Sequence, residues 1–590
     1  MTPVIDEILK FYDAGQAALF LSGRSLLDLG VDQDGKIRPL LEILRRAVRT
    51  RGMVLVTFSM AEGVDWDEAR IDDARDRRTV ENALRTHHLV DIRADDNQNV
   101  AVIRAVTSLC RTPVDNLQWT DGRPLRFAVL LEFAEHLTPG NLTNGTQAPS
   151  QIVAIELAHV LATSLALRAS GNLVVFHGRD GLIDELVRSP LQEVHLRQPG
   201  VDEKLEFLES LKALYSNAAF QDDLTPQSVV HASTNTPNRS LEVMVRASHR
   251  TGTKITAKQL AAQKERDVEG LSEGTLRALD VERAKNVELS GRNILTPLKV
   301  MRLFAEALAR GDPRMPGSVI LSGAPGTGKT DLALLTAREA GAAAYEVRSP
   351  KGPLVGMTER LAELQQRILK EWAPAIAFCD EVTETLPMDR NDLNLDSGAS
   401  QAVSASLLSA LGDETRRGKC LFIGATNLPQ KLGAAMRSRF LVLPVLHPLK
   451  QDFVGILLTI ARRIAPEARF DADDSRIHQA ADMFYEKGAN ARHVRAALSH
   501  AALVCGELSA DSILSAAHDL MGHTDRVSGI FTDLWAIRLC TSKSFLPWAD
   551  DPQHYPWPDY LGGIVDPATG DVNTGALERR LRELEPHANV

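Results

Sequence analysis

Cysteine is scarce in this chain: Cys110, Cys379, Cys420, Cys505 and Cys540 are five residues among 590, odd in number, dispersed, and never in a CxxC pair. That excludes a disulfide-stapled scaffold and a CxxC zinc module, and it sets the expectation of a reduced, cytoplasmic protein without structural zinc. Runs of Lys and Arg are lacking as well. With a net charge of −10 and a pI near 5.9 the chain has no footprint for a phosphate backbone, so a nucleic-acid partner is disfavoured, though a local basic channel stays open. No apolar stretch is long enough to span a bilayer, and the start Met-Thr-Pro-Val-Ile-Asp-Glu lacks the basic and apolar regions of a signal peptide, so no membrane association is expected. The absence of HExxH argues against a fused zinc protease. Asp389 to Asp396 is acidic but lacks the glycine and terminal glutamate of a calcium loop, and reads as a polar loop.

What is present is a complete phosphate-binding loop, Gly323-Ala324-Pro325-Gly326-Thr327-Gly328-Lys329-Thr330. The apolar run Val319 to Leu321 precedes it and an Ala- and Leu-rich helical segment from Asp331 to Ala340 follows. In such a loop the glycines let backbone N–H groups turn inward around phosphates, the lysine ammonium reaches the outer phosphates, and the threonine hydroxyl ligates Mg²⁺. All eight residues are therefore candidates for holding ATP, with Thr330 on the metal.

The length implies three or four domains. Residues 1–200 alternate strand-like runs (Ala18 to Leu21, Val54 to Phe58, Phe127 to Leu131, Leu173 to Phe176) with helical segments, the beat of a parallel α/β sheet. Residues 201–290 are helical and charged; 291–450 repeat the α/β beat with strands at Val319 to Leu321, Ala375 to Phe378 and Cys420 to Ile423; 451–530 are helical again; 531–590 form a tail rich in Trp and Pro. Duplication of a two-part module is the economical reading, and two unrelated α/β units followed by helices are the alternative.

Ala375 to Phe378 leads through Cys379 into Asp380-Glu381, an apolar strand ending in two carboxylates. Downstream of a P-loop this is a Walker-B arrangement: Asp380 on the magnesium, Glu381 polarising the attacking water as general base. Val355-Gly356-Met357-Thr358-Glu359, Cys379-Asp380-Glu381, Gly424-Ala425-Thr426-Asn427, Ala435-Met436-Arg437-Ser438-Arg439-Phe440 and Gly488-Ala489-Asn490-Ala491-Arg492 follow in the order found in AAA+ ATPases of the AAA subgroup, which this stretch resembles. The resemblance implies a P-loop NTPase fold with a helical lid, Asn427 as the sensor-1 residue placing the lytic water, Arg437 and Arg439 as fingers reaching a neighbouring subunit's nucleotide, and Arg492 as the sensor-2 arginine. It also implies self-association in a closed ring, a hexamer by resemblance. A guanidinium from a neighbour would offset charge spreading over the γ-oxygens, which makes oligomerisation part of the site. Asn427 ending a strand and Arg492 on a solvated helix face are the plainer readings.

Leu354-Val355-Gly356 stands where protein-threading members carry an aromatic-hydrophobic-glycine pore loop, with Leu354 at the aromatic position. That departure weighs against threading, and Leu354 as ordinary core is the alternative. In the first α/β stretch Ser22-Gly23-Arg24-Ser25 replaces the P-loop, Phe133 stands in Glu132-Phe133-Ala134-Glu135 where the catalytic acid would be, and the strand ending His177-Gly178 has lost its asparagine. His177 reads as a structural histidine, for no partner ligand lies at helical or hairpin spacing. A degenerate AAA-like module ahead of a competent one is similar to the chloroplast-reading-frame AAA ATPases of cyanobacteria and plastids, whose connector Ile255-Thr256-Ala257-Lys258-Gln259-Leu260, Lys264-Glu265-Arg266 and Leu276 to Leu279 resemble.

Trp535, Trp548, Tyr555, Trp557 and Tyr560 gather among prolines and aspartates, either as anchors for a partner or as cover for the lid's apolar face. The expected function is Mg-dependent ATP hydrolysis that remodels or disassembles a protein complex. A nucleotide-gated assembly or adaptor protein is the competing reading, and a nucleic-acid-directed loader the weaker one.

Overall fold

The computed structural model describes residues 3–66, 68, 71–90, 92, 98–113, 117–140, 148–179, 182–222, 224–281, 284, 287–348, 357–385, 416–521 and 526–588. Leu354 and the acidic run 389–396 lie outside the described residues. The chain divides into two compact units, one built on Met1–Asp267 and one on Val268–Gly352 and Thr358–Val590.

In the first unit, eight strands are described: β1 (Ala18–Gly23), β2 (Leu29–Val31), β3 (Ile37–Pro39), β4 (Met53–Ser59), β5 (Gly63–Asp65), β6 (Arg126–Glu132), β7 (Leu173–His177) and β8 (Gln192–Leu196). Six make one sheet in the order β5-β4-β6-β7-β1-β8, parallel except for β5, while β2 and β3 form a separate hairpin. The strands are near-continuous apolar runs because helices cover both faces. Phe20, Val56, Phe127, Val129 and Phe176 point to one core, and Leu19, Leu21, Leu55, Leu130 and Val175 to the other. Helices Val201–Leu214, Pro226–Ser233 and Asn238–Thr251 then pack around Phe207, Leu211, Val229 and Val245.

The second unit's strands are β9 (Leu276–Ala278), β10 (Ser318–Ser322), β11 (Ala343–Val347), β12 (Ala375–Cys379), β13 (Cys420–Thr426) and β14 (Leu441–Pro444). Their order is β14-β10-β13-β12-β11-β9, parallel except for β9. Val319, Leu321, Phe378 and Ile423 face one core, Ile320, Tyr345, Ala377 and Phe422 the other. Counted along the chain, the parallel strands of each unit run fifth, first, fourth, third, second across the sheet. β9 lies in a stretch expected to be helical. The helix Ala257–Leu271 stops where Glu273 and Gly274 take positive φ (50° and 80°), and the chain turns back to pair antiparallel with β11.

Helices Phe453–Ile464, Ser475–Glu486, Ala491–Cys505 and Ala510–Asp519 form the second helical segment around Leu457, Phe484, Leu498 and Ile513. Trp548 (1% exposed) and Tyr555 pack with Leu446, Leu449, Phe531 and Leu534 in a cluster distinct from that of the four helices. The rings of Trp548, Tyr555 and Trp557 pair with one another at centroid distances of 4.8–5.4 Å. Trp548 Nε1 donates to Gly570 O (3.0 Å) and Tyr555 OH to Asn293 Oδ1 (2.7 Å). Large buried rings whose polar tips are satisfied, as those of Trp548 and Tyr555 are, stabilise a local core.

Candidate nucleotide site

β10 ends in the middle of its sheet, between β13 and β14, and the chain turns through Gly323–Gly328 into the helix Lys329–Glu339. Glycine is required here on steric grounds. A Cβ on Gly323 would stand 2.0 Å from Val445 O, and Gly326 and Gly328 hold φ of 79° and 93°, where side chains are strained. Thr327 Oγ1 donates to Ala324 O (3.0 Å) and braces the loop. Lys329, 7% exposed, points back beneath it, donating to Gly323 O (2.8 Å), Ala324 O (2.7 Å) and Asn427 Oδ1 (2.6 Å). Burial pushes its pKa down to about 8 against the opposing pull of Glu381 and Asp380. Thr330 sits half-buried in the helix's first turn.

Asp380 and Glu381 follow the last residue of β12, and Glu381 has φ of 47°. A left-handed conformation at a non-glycine residue costs roughly 1–3 kcal/mol and persists where the surroundings over-determine it. Here Asn427, immediately after β13, donates through Nδ2 to Glu381 Oε1. Lysine, asparagine and glutamate thus form one hydrogen-bonded chain across three strand ends. Thr426 and Thr383 join the β13 end to the turn after β12 through their hydroxyls (3.0 Å), and Thr426 Oγ1 also accepts from Leu428 N (3.0 Å).

The lid helix Ala491–Cys505 approaches the same loop through its N-cap. Asn490 accepts from Arg492 N and His493 N, and a Cβ on Gly326 would lie 2.7 Å from Asn490 Cγ. Arg492 is exposed in the helix's first turn, and its charge contributes to the lowered pKa of Lys329. Burial raises the pKa of Asp331, and Arg463, Arg495 and Arg492 oppose that rise. Arg437 and Arg439 are exposed. Arg439 O accepts from Ser318 Oγ (2.9 Å), at the start of β10, a strand length of ~13 Å from the P-loop. The structure therefore gathers Lys329, Asp380, Glu381, Asn427 and Arg492 at one sheet end and leaves the two finger candidates on the surface.

Sequence reasoning missed Asn490 as a contact of the loop, although it stands in the motif that singled out Arg492. It also missed a polar network beside the loop. Asp533, 1% exposed, accepts from His447 Nδ1 (3.1 Å), His447 N (3.3 Å) and Tyr560 OH (3.0 Å), while Asn293 Nδ2 donates to His447 O (2.5 Å). Burial works against the protonated form of His447, but the charge and hydrogen bond of Asp533 outweigh it and hold the pKa above the ordinary histidine value. No local signal could have linked Asp533 to a histidine 86 residues away.

The matching end of the first unit's sheet has a similar backbone and different side chains. Gly23 (φ 95°) follows Ser22 as Gly323 follows Ser322, and a Cβ there would lie 2.5 Å from Leu196 O. Phe133 has φ of 53° just past β6, as Glu381 has past β12. Burial pushes the pKa of His177 down to about 4, which leaves a neutral ring.

A buried lysine inside a glycine loop, a threonine in the first helical turn and two carboxylates on a neighbouring strand fit a magnesium-bound nucleotide. This is the fold of a P-loop AAA+ module. Residues 319–444 match the family model "ATPase family associated with various cellular activities (AAA)", so the chain carries an AAA ATPase domain. It is 34% identical over 175 residues, 28% of this chain and 19% of the relative, to the human "ATPase family gene 2 protein homolog A". It is 34% identical over 138 residues, 22% of this chain and 16% of the relative, to the "Ribosome biogenesis ATPase RIX7" of Saccharomyces cerevisiae. A "Putative 26S proteasome regulatory subunit homolog" of Methanothermobacter thermautotrophicus is 34% identical over 127 residues, 21% of this chain and 34% of the relative. These matches span between 16% and 34% of the relatives' own length. The solved structure "Crystal structure of FIGL-1 AAA domain in complex with ADP" covers 43% of this chain and 91% of that one, at 20% identity and a TM-score of 0.36.

Proposed function

We propose that this protein hydrolyses ATP with Mg²⁺ in its second unit and uses the cycle to remodel or disassemble a protein complex, as a subunit of a ring, a hexamer. The observation that carries the reading is the chain Lys329–Asn427–Glu381, which links the phosphate-binding cation to the general base through one amide. Thr330 and Asp380 would hold magnesium, which when bound neutralises developing charge on the phosphate oxygens. Residues 323–330 bind the phosphates through backbone amides and the Lys329 ammonium. Glu381 takes the proton of the attacking water, and Asn427 orients both carboxylate and water. Arg492 reaches the phosphates from the lid of the same subunit. Arg437 and Arg439, both exposed, serve the neighbour's site. The first unit is read as an AAA-like module without hydrolysis, supported by its strand order and by Phe133 at the strained position matching Glu381. Its role is recruitment of the client. Two relatives bear names tied to ribosome biogenesis and the proteasome, and a large assembly as client agrees with them.

Turnover measured against protein concentration tests the reading. Specific activity should rise as subunits assemble, disappear in Glu381→Gln, and return in part when Arg439→Ala and Lys329→Ala subunits are mixed. Constant activity from a species shown to be monomeric contradicts it.

A further inference from the structure

In the second unit the P-loop passes directly from β10 to its helix. In the first unit the same connection, from β1 to the helix Leu40–Arg49, makes an excursion from Arg24 to Pro39 that includes the β2–β3 hairpin. Arg24 and Asp28, 2% and 3% exposed, pair within it: Arg24 Nε donates to Asp28 Oδ2 (2.5 Å) and Nη2 to Leu29 O (2.7 Å). The same Asp28 carboxylate accepts from Asn238 N (3.1 Å) and Arg239 N (2.8 Å), the first two amides of the helix Asn238–Thr251. That helix has Pro237 at its N-cap and no side-chain cap of its own, so an aspartate 210 residues away supplies the cap. Asn238 Nδ2 donates to Leu29 O (2.9 Å), and Lys204, fully buried, donates to Pro237 O (3.3 Å). Apolar packing reinforces the join, for Val31 of β2 lies in one cluster with Phe207, Leu208, Leu211 and Val245 of the helical segment, with Leu29 and Ile37 against it.

We propose that the Arg24–Pro39 excursion is a clasp that fixes residues 201–251 to the first sheet in one conformation whatever the nucleotide state, so that within this chain only the lid of the second unit responds to nucleotide. The connection that would cradle phosphates in one unit is, in the other, a permanent bond between the sheet and the helical segment 201–251. A buried carboxylate paired to a guanidinium and to helix-terminal amides is costly to break, because release strands charges in a dry interior. The clause about the second lid rests on the function proposed above; the clasp itself does not.

Hydrogen exchange read by mass spectrometry on the full-length protein tests it, with and without ATP in the Glu381→Gln background. Peptides across 201–251 should exchange at the same rate in both conditions while those across 453–519 slow with ATP. Asp28→Ala should speed exchange at the start of the Asn238 helix on the order of tenfold or more, and Asp28→Asn, which keeps the shape and one acceptor, should give a smaller rise. Slowing of 201–251 by ATP to the degree seen for 453–519 overturns the proposal, as does unchanged exchange at 238–239 in both Asp28 variants. If ATP alters neither segment, the proposed nucleotide function fails while the Asp28 comparison still decides the clasp.

Discussion

Lys329 makes nucleotide binding depend on pH in a calculable way. Burial lowers its pKa from 10.5 to about 8 in the free protein. Phosphates placed against the ammonium favour the charged form and raise that pKa again, so binding takes up a proton wherever the free lysine has lost one. Affinity is therefore flat below pH ~8 and falls as pH rises through that value, by about tenfold between pH 7 and pH 9. If the bound-state pKa returns to its ordinary value of 10.5, the loss totals about 3.5 kcal/mol, at about 1.4 kcal/mol for each of the two and a half pH units between the two values. Titration calorimetry with ATP and Glu381→Gln protein, in buffers of differing ionisation enthalpy, should show close to one proton taken up per ATP at pH 9 and close to none at pH 7. In Lys329→Arg, whose guanidinium stays charged, whatever binding remains should show no such uptake. A Kd that is level from pH 7 to pH 9.5, with no proton uptake, would refute the reasoning.

Three further outcomes are expected. Asp533→Ala leaves the His447 ring and the Tyr560 hydroxyl without their shared acceptor and should cost the second unit about 3 kcal/mol in urea unfolding; because the folded pKa of His447 is raised, the gap to wild type should be full below pH ~6.5 and narrow as pH rises through the folded value. Trp548→Ala removes a fully buried ring from the terminal cluster and should cost ~3–5 kcal/mol by the same assay, whereas a loss under ~1 kcal/mol would mean the tail is not part of the core. Phe133→Glu should restore no hydrolysis to a Lys329→Ala protein, since the turn after β1, Ser22-Gly23-Arg24-Ser25, lacks the Gly-Lys-Thr of a phosphate loop; phosphate release above background in that double variant would contradict the reading.

The P-loop and the strand-end acids were legible because phosphate chemistry demands contiguous residues: Gly323–Thr330 and Asp380-Glu381 carry their own signal. Seven of the fourteen described strands could be read from apolar runs; β8 (Gln-Glu-Val-His-Leu) and β11 (Ala-Ala-Tyr-Glu-Val) were missed because polar residues and alanine dilute the apolar signal, and β2, β3, β5, β9 and β14 because three or four residues are too short to show a period. Residues joined only by folding left no trace. Asp28 meets Asn238, and His447 meets Asp533, across 210 and 86 residues, with no local pattern announcing either pair. The tail's aromatics could be read as abundant area but not as to what they cover. Phe133 was visible as a substitution, while the left-handed backbone it shares with Glu381 was not.

In the function proposed above, only the second unit's sheet end carries nucleotide chemistry. Equilibrium dialysis of ATP against full-length Glu381→Gln protein tests it most directly. One tight site per chain is predicted, falling to none when Lys329→Ala is added; two sites per chain, or tight binding that survives Lys329→Ala, would contradict it.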